Sequence, residues 1–305
     1  MTNISVIQRN TTQVASSNNL EIMNLALMGI TLASFVFFSY FMAVMLSVYF
    51  TSNVARQEVR YVLFAHMLVN DAVYLFISLL LFLMVTYPIK FPVPICYIMV
   101  FVTSTTMKIT PYNLAIMSLE RYFAICFPLR YKEICTLHRM GIAIGIIWVI
   151  GVLPNIADFF VLILSMEKTF LYQSVICSRS SFIVVASVQN NIRLVSHAST
   201  FSLVGFIIIF TYIKIMMVAF KVDSGKSSAS KAGRTVMLHA FQLLLCMMAY
   251  SYSVFEIILK DFISLLPIIN FCFFMCLPRF LSPFTYGIRD ELFRKQIKKF
   301  TLGCF

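Results

Sequence analysis

Long apolar runs broken by short charged segments set the plan of this chain. Stretches nearly free of charge occur at about 22–50, 61–87, 95–119, 140–164, 194–220, 235–258 and 262–287. Each reaches the ~20 residues that a helix needs to cross about 30 Å of hydrocarbon. Only helices and closed barrels satisfy their own backbone groups in a bilayer. A barrel would show shorter segments of alternating polarity, so the pattern predicts seven spanning helices.

The two ends read differently. Residues 1–21 are polar and predict an extracellular tail. At the other end Ile288, Leu292, Phe293, Ile297 and Phe300 fall on one helical face, with Arg294, Lys295, Lys298 and Lys299 elsewhere. That is an amphipathic helix lying on the inner leaflet. The expected organisation is a tail over 1–21, a membrane domain over 22–287, and a cytoplasmic amphipathic helix and tail over 288–305. The fold class is an all-α membrane protein, a seven-helix bundle with a short eighth helix.

Composition excludes a soluble alternative. The 305 residues are 60% hydrophobic and 12% charged, with a mean hydropathy of +0.89. A soluble domain would expose too much of that apolar surface. The net charge of +12 does not point to nucleic acid, because the charges sit in short segments between apolar runs. Their distribution gives orientation instead. Fourteen basic residues fall in the first, second and third alternate loops and the carboxyl end: Arg56 and Arg60; Arg130, Lys132 and Arg139; Lys221, Lys226, Lys231 and Arg234; and the five from Arg289 to Lys299. Six fall on the other side: Arg9, Lys90, Lys168, Arg179, Arg193 and Lys260. The richer side is cytoplasmic, which puts the amino terminus outside. The glycosylation triplets at Asn3 and Asn10 agree. The first twenty residues hold no apolar core of the kind that cleaved secretion signals use, so the first span serves as the insertion signal. Lys221–Gly233 reads as a solvated linker, and no repeat or large soluble domain interrupts the spans.

The segment Met117–Tyr131, MSLERYFAICFPLRY, closes the third apolar run with Glu120-Arg121-Tyr122. An ion pair at the end of a membrane helix is costly and is a functional hypothesis by default. The wording resembles the cytoplasmic end of the third helix in rhodopsin-like G-protein-coupled receptors. More narrowly it resembles the olfactory branch, whose members read close to MAYDRYVAIC-x-PLRY. Lys231, Ala232, Thr235 and His239 match a second olfactory pattern, KAxxTCxSH, whose cysteine and serine are absent here. The first-span match is weak and the second extracellular loop is short. Both fit a divergent fish-type odorant receptor.

That resemblance implies several roles. Glu120 would hold Arg121 at rest, and releasing it would let Arg121 meet a heterotrimeric G protein; the plain alternative is a snorkelling arginine. Tyr122, Tyr212, His239, Pro283 and Tyr286 match other activation positions. Cys96 would form a disulfide with Cys177 on the oxidising side; the alternative is two free thiols. The remaining six cysteines read as free, with Cys304 a candidate for palmitoylation. Asp71, mid-span in LVNDAVYL, matches an aspartate that binds sodium or joins a polar network in many relatives. Here the usual asparagines are missing from the first span and from Ser282-Pro283-Phe284-Thr285-Tyr286. Arg279 lies one helical turn from Pro283 on the same face and is expected to pair with Asp71 in place of an ion. The alternative is that Arg279 faces water or a backbone carbonyl.

The ligand is expected between helices in the outer half. Lys108 is the sole charge between Phe91 and Leu119, about 20 Å along the helix from Arg121. It wants an anion, which is either an acidic ligand or a side chain such as Asp158 or Glu256. Thr103, Ser104 and Met107 flank it. Family position adds Ser196, His197, Thr200, Tyr250, Val254, Cys272 and Met275.

Rival functions fit poorly. The four histidines have no metal-ligand spacing, and Asp71 lacks a second aspartate at its depth, so an enzyme is not expected and neither is a metal or cofactor. A transporter would favour inverted repeats, and the span count is odd. Expected partners are a small-molecule odorant, the bilayer, and a G protein of the stimulatory type at the plasma membrane. A non-olfactory rhodopsin-like receptor for a peptide, amine or nucleotide is the second reading. Thr103 stands where an amine receptor ordinarily carries aspartate.

Overall fold

The computed structural model describes residues 2–221 together with Met237, Ala240, Phe241, Leu244, Cys276, Leu277 and Arg279. Five helices there are long and apolar enough to span a membrane. They lie in α1 (Thr2–Thr51), α3 (Val59–Thr86), α4 (Val93–Cys126), α6 (Leu137–Ser165) and α7 (Ala186–Lys221). Short helices α2 (Asn53–Gln57) and α5 (Tyr131–Ile134) fill the turns between them. Apart from those seven residues, the sixth and seventh predicted spans, and all of the eighth helix, lie outside the described residues.

Three boundaries differ from expectation. Helix α1 begins at Thr2, so the segment expected as a tail, with Asn3 and Asn10, extends the helix beyond its apolar span of Met28–Thr51. Helix α4 runs seven residues past the charge-free stretch, to Cys126, because Glu120 and Arg121 continue the helix rather than end it. Helix α7 begins at Ala186, which carries Arg193 into the bundle instead of leaving it in a loop.

Burial is inverted relative to a soluble protein. On α6 the residues Ile142, Ile146, Val149, Leu153, Ile156 and Phe160 follow one another at three- or four-residue steps, and all are exposed. That stripe faces hydrocarbon, where apolar exposure costs nothing. Only four residues of α6 are buried, whereas α4 buries fifteen. Helix α4 is therefore the central strut, with α3, α6 and α7 packed around it. The close approach of α6 uses Gly151, where a Cβ would stand 3.0 Å from the Ile109 side chain. Small residues at such crossings let backbones draw together in lipid.

Polar groups tie the same helices. His66 on α3 donates from Nδ1 to Asn113 Oδ1 on α4 at 2.9 Å. Its Nε2 accepts from the Trp148 indole on α6, also at 2.9 Å. One neutral tautomer thus bonds three helices. Pro111 and Pro154 sit inside α4 and α6, as membrane helices tolerate where neighbours re-satisfy the freed carbonyls.

The outer face is closed by a two-stranded sheet. Strand β1 (Lys90–Pro92) pairs antiparallel with β2 (Ser174–Ile176), Phe91 opposite Val175. The Cys96–Cys177 disulfide, with Cα atoms 5.3 Å apart, ties the loop after α6 to the first turn of α4. Met84, Val93, Leu162 and Phe182 bury it in a small apolar cluster. The disulfide closes a loop of 81 residues. Its removal by Cys96→Ala should cost about 2–5 kcal/mol and cut surface expression sharply; a thermal unfolding curve unchanged from the parent would contradict this.

Candidate functional site

The described polar residues of α4 gather in three layers. The innermost lies at its last turns. Arg121 Nε stands 3.5 Å from Glu120 Oε2, and Glu120 is buried while Arg121 is partly open. The other carboxylate oxygen, Oε1, accepts from the Tyr131 phenol at 2.7 Å. Tyr131 comes from α5, which the loop after Pro128 folds back under α4. Burial first, and the Glu120 charge next, push the Tyr131 phenol far above its ordinary range. It therefore stays protonated and remains the donor at any physiological pH. The Tyr122 ring packs edge-on to Phe127 and to Phe210 of α7. Tyr212 is half-buried beside the same core. The sequence pattern placed Tyr131 in a family motif but gave no sign that it grips Glu120.

The middle layer surrounds Asp71, which is fully buried. Its Oδ1 accepts from Thr110 Oγ1 at 2.9 Å. Thr110 in turn accepts from Asn70 Nδ2 at 3.1 Å, and the same amide reaches the Thr106 carbonyl at 3.0 Å. Arg279 is also fully buried. Its guanidinium carbon lies 4.4 Å from the centre of the Tyr74 ring. Tyr74 is three residues after Asp71 and shares its face. The positive charge of Arg279 acts on the Asp71 carboxylate. The Arg279 cation is thus seated on an aromatic face. Ser282 lies outside the described residues, as do His239, Pro283 and Tyr286.

The outer layer opens as a cleft. Ser104, Asn155, Asp158, Arg179, Gln189 and Arg193 supply its polar lining. Tyr97, Val100, Phe101, Leu162 and Phe182 supply the apolar wall. Ser104 Oγ donates to Asn155 Oδ1 at 3.0 Å, and Asn155 Nδ2 donates to Thr105 Oγ1 at 2.8 Å. Arg179, just past the disulfide, reaches down to Ser104 Oγ at 2.9 Å and forms an ion pair with Asp158 at 3.1 Å. Asp158 is therefore engaged by Arg179 and acts on Lys108 only through space; Glu256, the other expected partner of Lys108, lies outside the described residues. Lys108 itself is 3% exposed, one turn below Ser104.

Not every expected lining residue faces this cleft. Thr200 is buried, with its hydroxyl bonded to the Ser196 carbonyl and the Tyr112 phenol at 2.8 and 2.9 Å. It joins α4 to α7 instead of meeting a ligand. The Thr103 hydroxyl returns to the Met99 carbonyl at 2.8 Å. The Met107 sulfur accepts from the Tyr74 phenol at 3.9 Å. His197 sits within electrostatic reach of Lys108, Arg179 and Arg193. Tyr250, Val254, Cys272 and Met275 lie outside the described residues. Sequence reasoning missed Asn155, Arg179 and Arg193 as lining; a polar residue within an apolar run was the available signal for Asn155.

Comparisons with known proteins agree on a family. The family described as 7 transmembrane receptor (rhodopsin family) matches residues 42–286. The chain is similar to Odorant receptor 131-2 of Danio rerio, 32% identical over 250 residues that cover 79% of this chain and 76% of that one. It is similar to Olfactory receptor 52A1 of Homo sapiens, 29% identical over 216 residues, 67% of each chain. A shorter likeness, 39% identity over 57 residues, joins it to Growth hormone secretagogue receptor type 1 of Homo sapiens, covering 19% of this chain and 16% of that one.

The inner layer yields a direct test. Tyr131→Phe removes one hydrogen bond from a buried carboxylate and should destabilise the purified protein by about 1.5–3 kcal/mol. Chemical unfolding in detergent measures this, and a change below about 0.5 kcal/mol would show that the phenol does not hold Glu120.

Proposed function

The chain belongs to the rhodopsin family of seven-transmembrane receptors, and from that premise we propose that it is an odorant receptor of the plasma membrane. It is a signalling protein, not an enzyme. Its amino terminus is outside and its carboxyl end cytoplasmic, as the distribution of basic residues favours. A small molecule binds in the outer half of the bundle, and a heterotrimeric G protein of the stimulatory type is activated at the inner face. The likeness to two receptors named for odorants and olfaction, each over two thirds of the chain or more, carries this reading. The likeness to a secretagogue receptor spans only 57 residues.

The inner layer supports a mechanism. At rest Glu120 and Tyr131 keep Arg121 folded against α4. Ligand binding outside shifts a pre-existing equilibrium toward a state with an open inner face. The sixth span swings outward in that state. The freed guanidinium then supplies donors to the G protein. A ligand shifts the equilibrium only by its differential affinity for the two states, so the outer layer must rearrange as the inner one opens. The polar middle layer lies between them on the same helix.

The middle layer has its own reading. Arg279 takes the place of a bound sodium ion as the counter-charge of Asp71. Both groups are fully buried and Arg279 lies over Tyr74, which shares a helix face with Asp71; a buried carboxylate needs a nearby cation.

Cells carrying the receptor with a cyclic AMP reporter test the main reading against a panel of small odorants. A dose-dependent rise that Arg121→Ala abolishes, at equal surface level, is the expected result. A response confined to peptides would favour the secretagogue-like alternative, and G-protein activation without cyclic AMP would overturn the stimulatory type. For the middle layer, Asp71→Asn alone should cost about 3–5 kcal/mol by stranding a buried cation. The double variant with Arg279→Gln should recover most of it. Thermal stability should also be the same in sodium and choline chloride; stabilisation by sodium would restore the ion-site reading.

A further inference from the structure

Charges of one sign gather at the outer end of α4. Arg193 of α7 lines the cleft, and its Nε is buried without a hydrogen bond among the described residues. Arg179 lines the same cleft with its charge answered by Asp158. Lys108, one turn below the Ser104 rim, is 3% exposed and makes no ion pair among the described residues. Arg179 and Arg193 both act on Lys108 electrostatically, and all three cations act on His197. Among the described residues three cations share this region with one carboxylate, Asp158, which pairs with Arg179 and acts on the other two through space. Among the described residues positive charge is in excess, with Lys108 buried and Arg193 half-buried, which is costly unless an anion joins them.

The walls of the cleft specify the rest of that anion. Tyr97 and Phe182 meet edge to face with centroids 5.4 Å apart, and Val100, Phe101 and Leu162 continue the apolar lining. Asn155 and Ser104 are already bonded to one another and to Thr105 and Arg179. Of the neutral polar groups in the lining, Asn155, Ser104 and Gln189 are thus engaged, which leaves the Tyr97 phenol. Besides that phenol, charge is the recognition element that remains.

We propose that the outer cleft binds a small organic carboxylate with an apolar tail, Arg193 of its lining serving as the counter-charge, Lys108 adding its charge from one turn beneath the Ser104 rim, and Tyr97, Phe101 and Phe182 enclosing the tail. Arg179 clamps the loop over the cleft through Asp158 and Ser104. This rests on the receptor reading above for its biological meaning, but binding itself does not require a G protein.

Purified full-length receptor in lipid nanodiscs is titrated at neutral pH with hexanoate and phenylacetate, their methyl esters, and hexylamine, and affinity is read from the shift in thermal unfolding. The acids should bind at least about tenfold more tightly than their esters, and the amine should not bind. Lys108→Met and Arg193→Met should each remove most of the preference for acid over ester. Lys108→Gln and Arg193→Gln serve where a methionine variant fails to fold. Esters binding as well as acids, no stabilisation by any carboxylate, or an intact preference in the folded variants would overturn the proposal. Carboxylate binding without any G-protein response in cells would leave the anion site standing and defeat the receptor reading. A cyclic AMP response to neutral odorants alone would do the reverse.

Discussion

Every polar side chain that α4 carries into the bundle has to find its partner inside the protein, because hydrocarbon supplies none. The rest of the structure follows from that constraint. From Ser104 to Glu120 the helix rises about 24 Å, close to the depth of the apolar core. Along that length it meets α6 and the extracellular loop at the top, α3 in the middle, and α5 at the bottom. Each neighbour is fixed by a polar contact that would be left unsatisfied by a shift of one turn. Hydrophobic burial cannot set these registers, since lipid tails are as apolar as the side chains they replace. The apolar face of α6 turned outward makes the same point from the other side.

The three layers do different jobs because they differ in charge and wetness. The outer one holds an excess of positive charge beside a cleft. The middle one is closed to the surface, with Asp71 and Arg279 both fully buried. The inner one pairs a buried carboxylate with an arginine that is 23% exposed, so the cation is poised at the water boundary. A strut with a cleft at one end, a buried polar layer in the centre and a half-open ion pair at the other suits the proposed passage of a signal through a membrane.

Much of this was legible in the sequence. Charge-free run length located the five described spans, and the ends shifted mainly where a polar residue continues a helix, as at Glu120 and Arg193. The Cys96–Cys177 bridge and the Glu120–Arg121 pair were expected from the motifs that carry the family resemblance, and both are present. Helical spacing tells which face a residue occupies but not what it meets across the gap. Thr200 was on the expected helix, yet its hydroxyl is spent on Tyr112. Asp158 was a fair partner for Lys108 by charge, yet a loop arginine reaches it first. Tyr131 needed the turn after Pro128 to bring it beneath Glu120. Such contacts depend on how loops fold back, which local pattern does not encode.

The central claim is that the pair at the inner end of α4 is a latch that opens as the bundle opens. Spin labels at Leu129→Cys and Met237→Cys, both on exposed positions, report the distance between the loop after α4 and the sixth span. The background keeps Cys96 and Cys177 and replaces the free cysteines. Adding nucleotide-free G protein should lengthen that distance by several ångströms in the parent, and Arg121→Ala should abolish the change. A distance unaffected by the G protein, or a change that survives Arg121→Ala, would contradict the account.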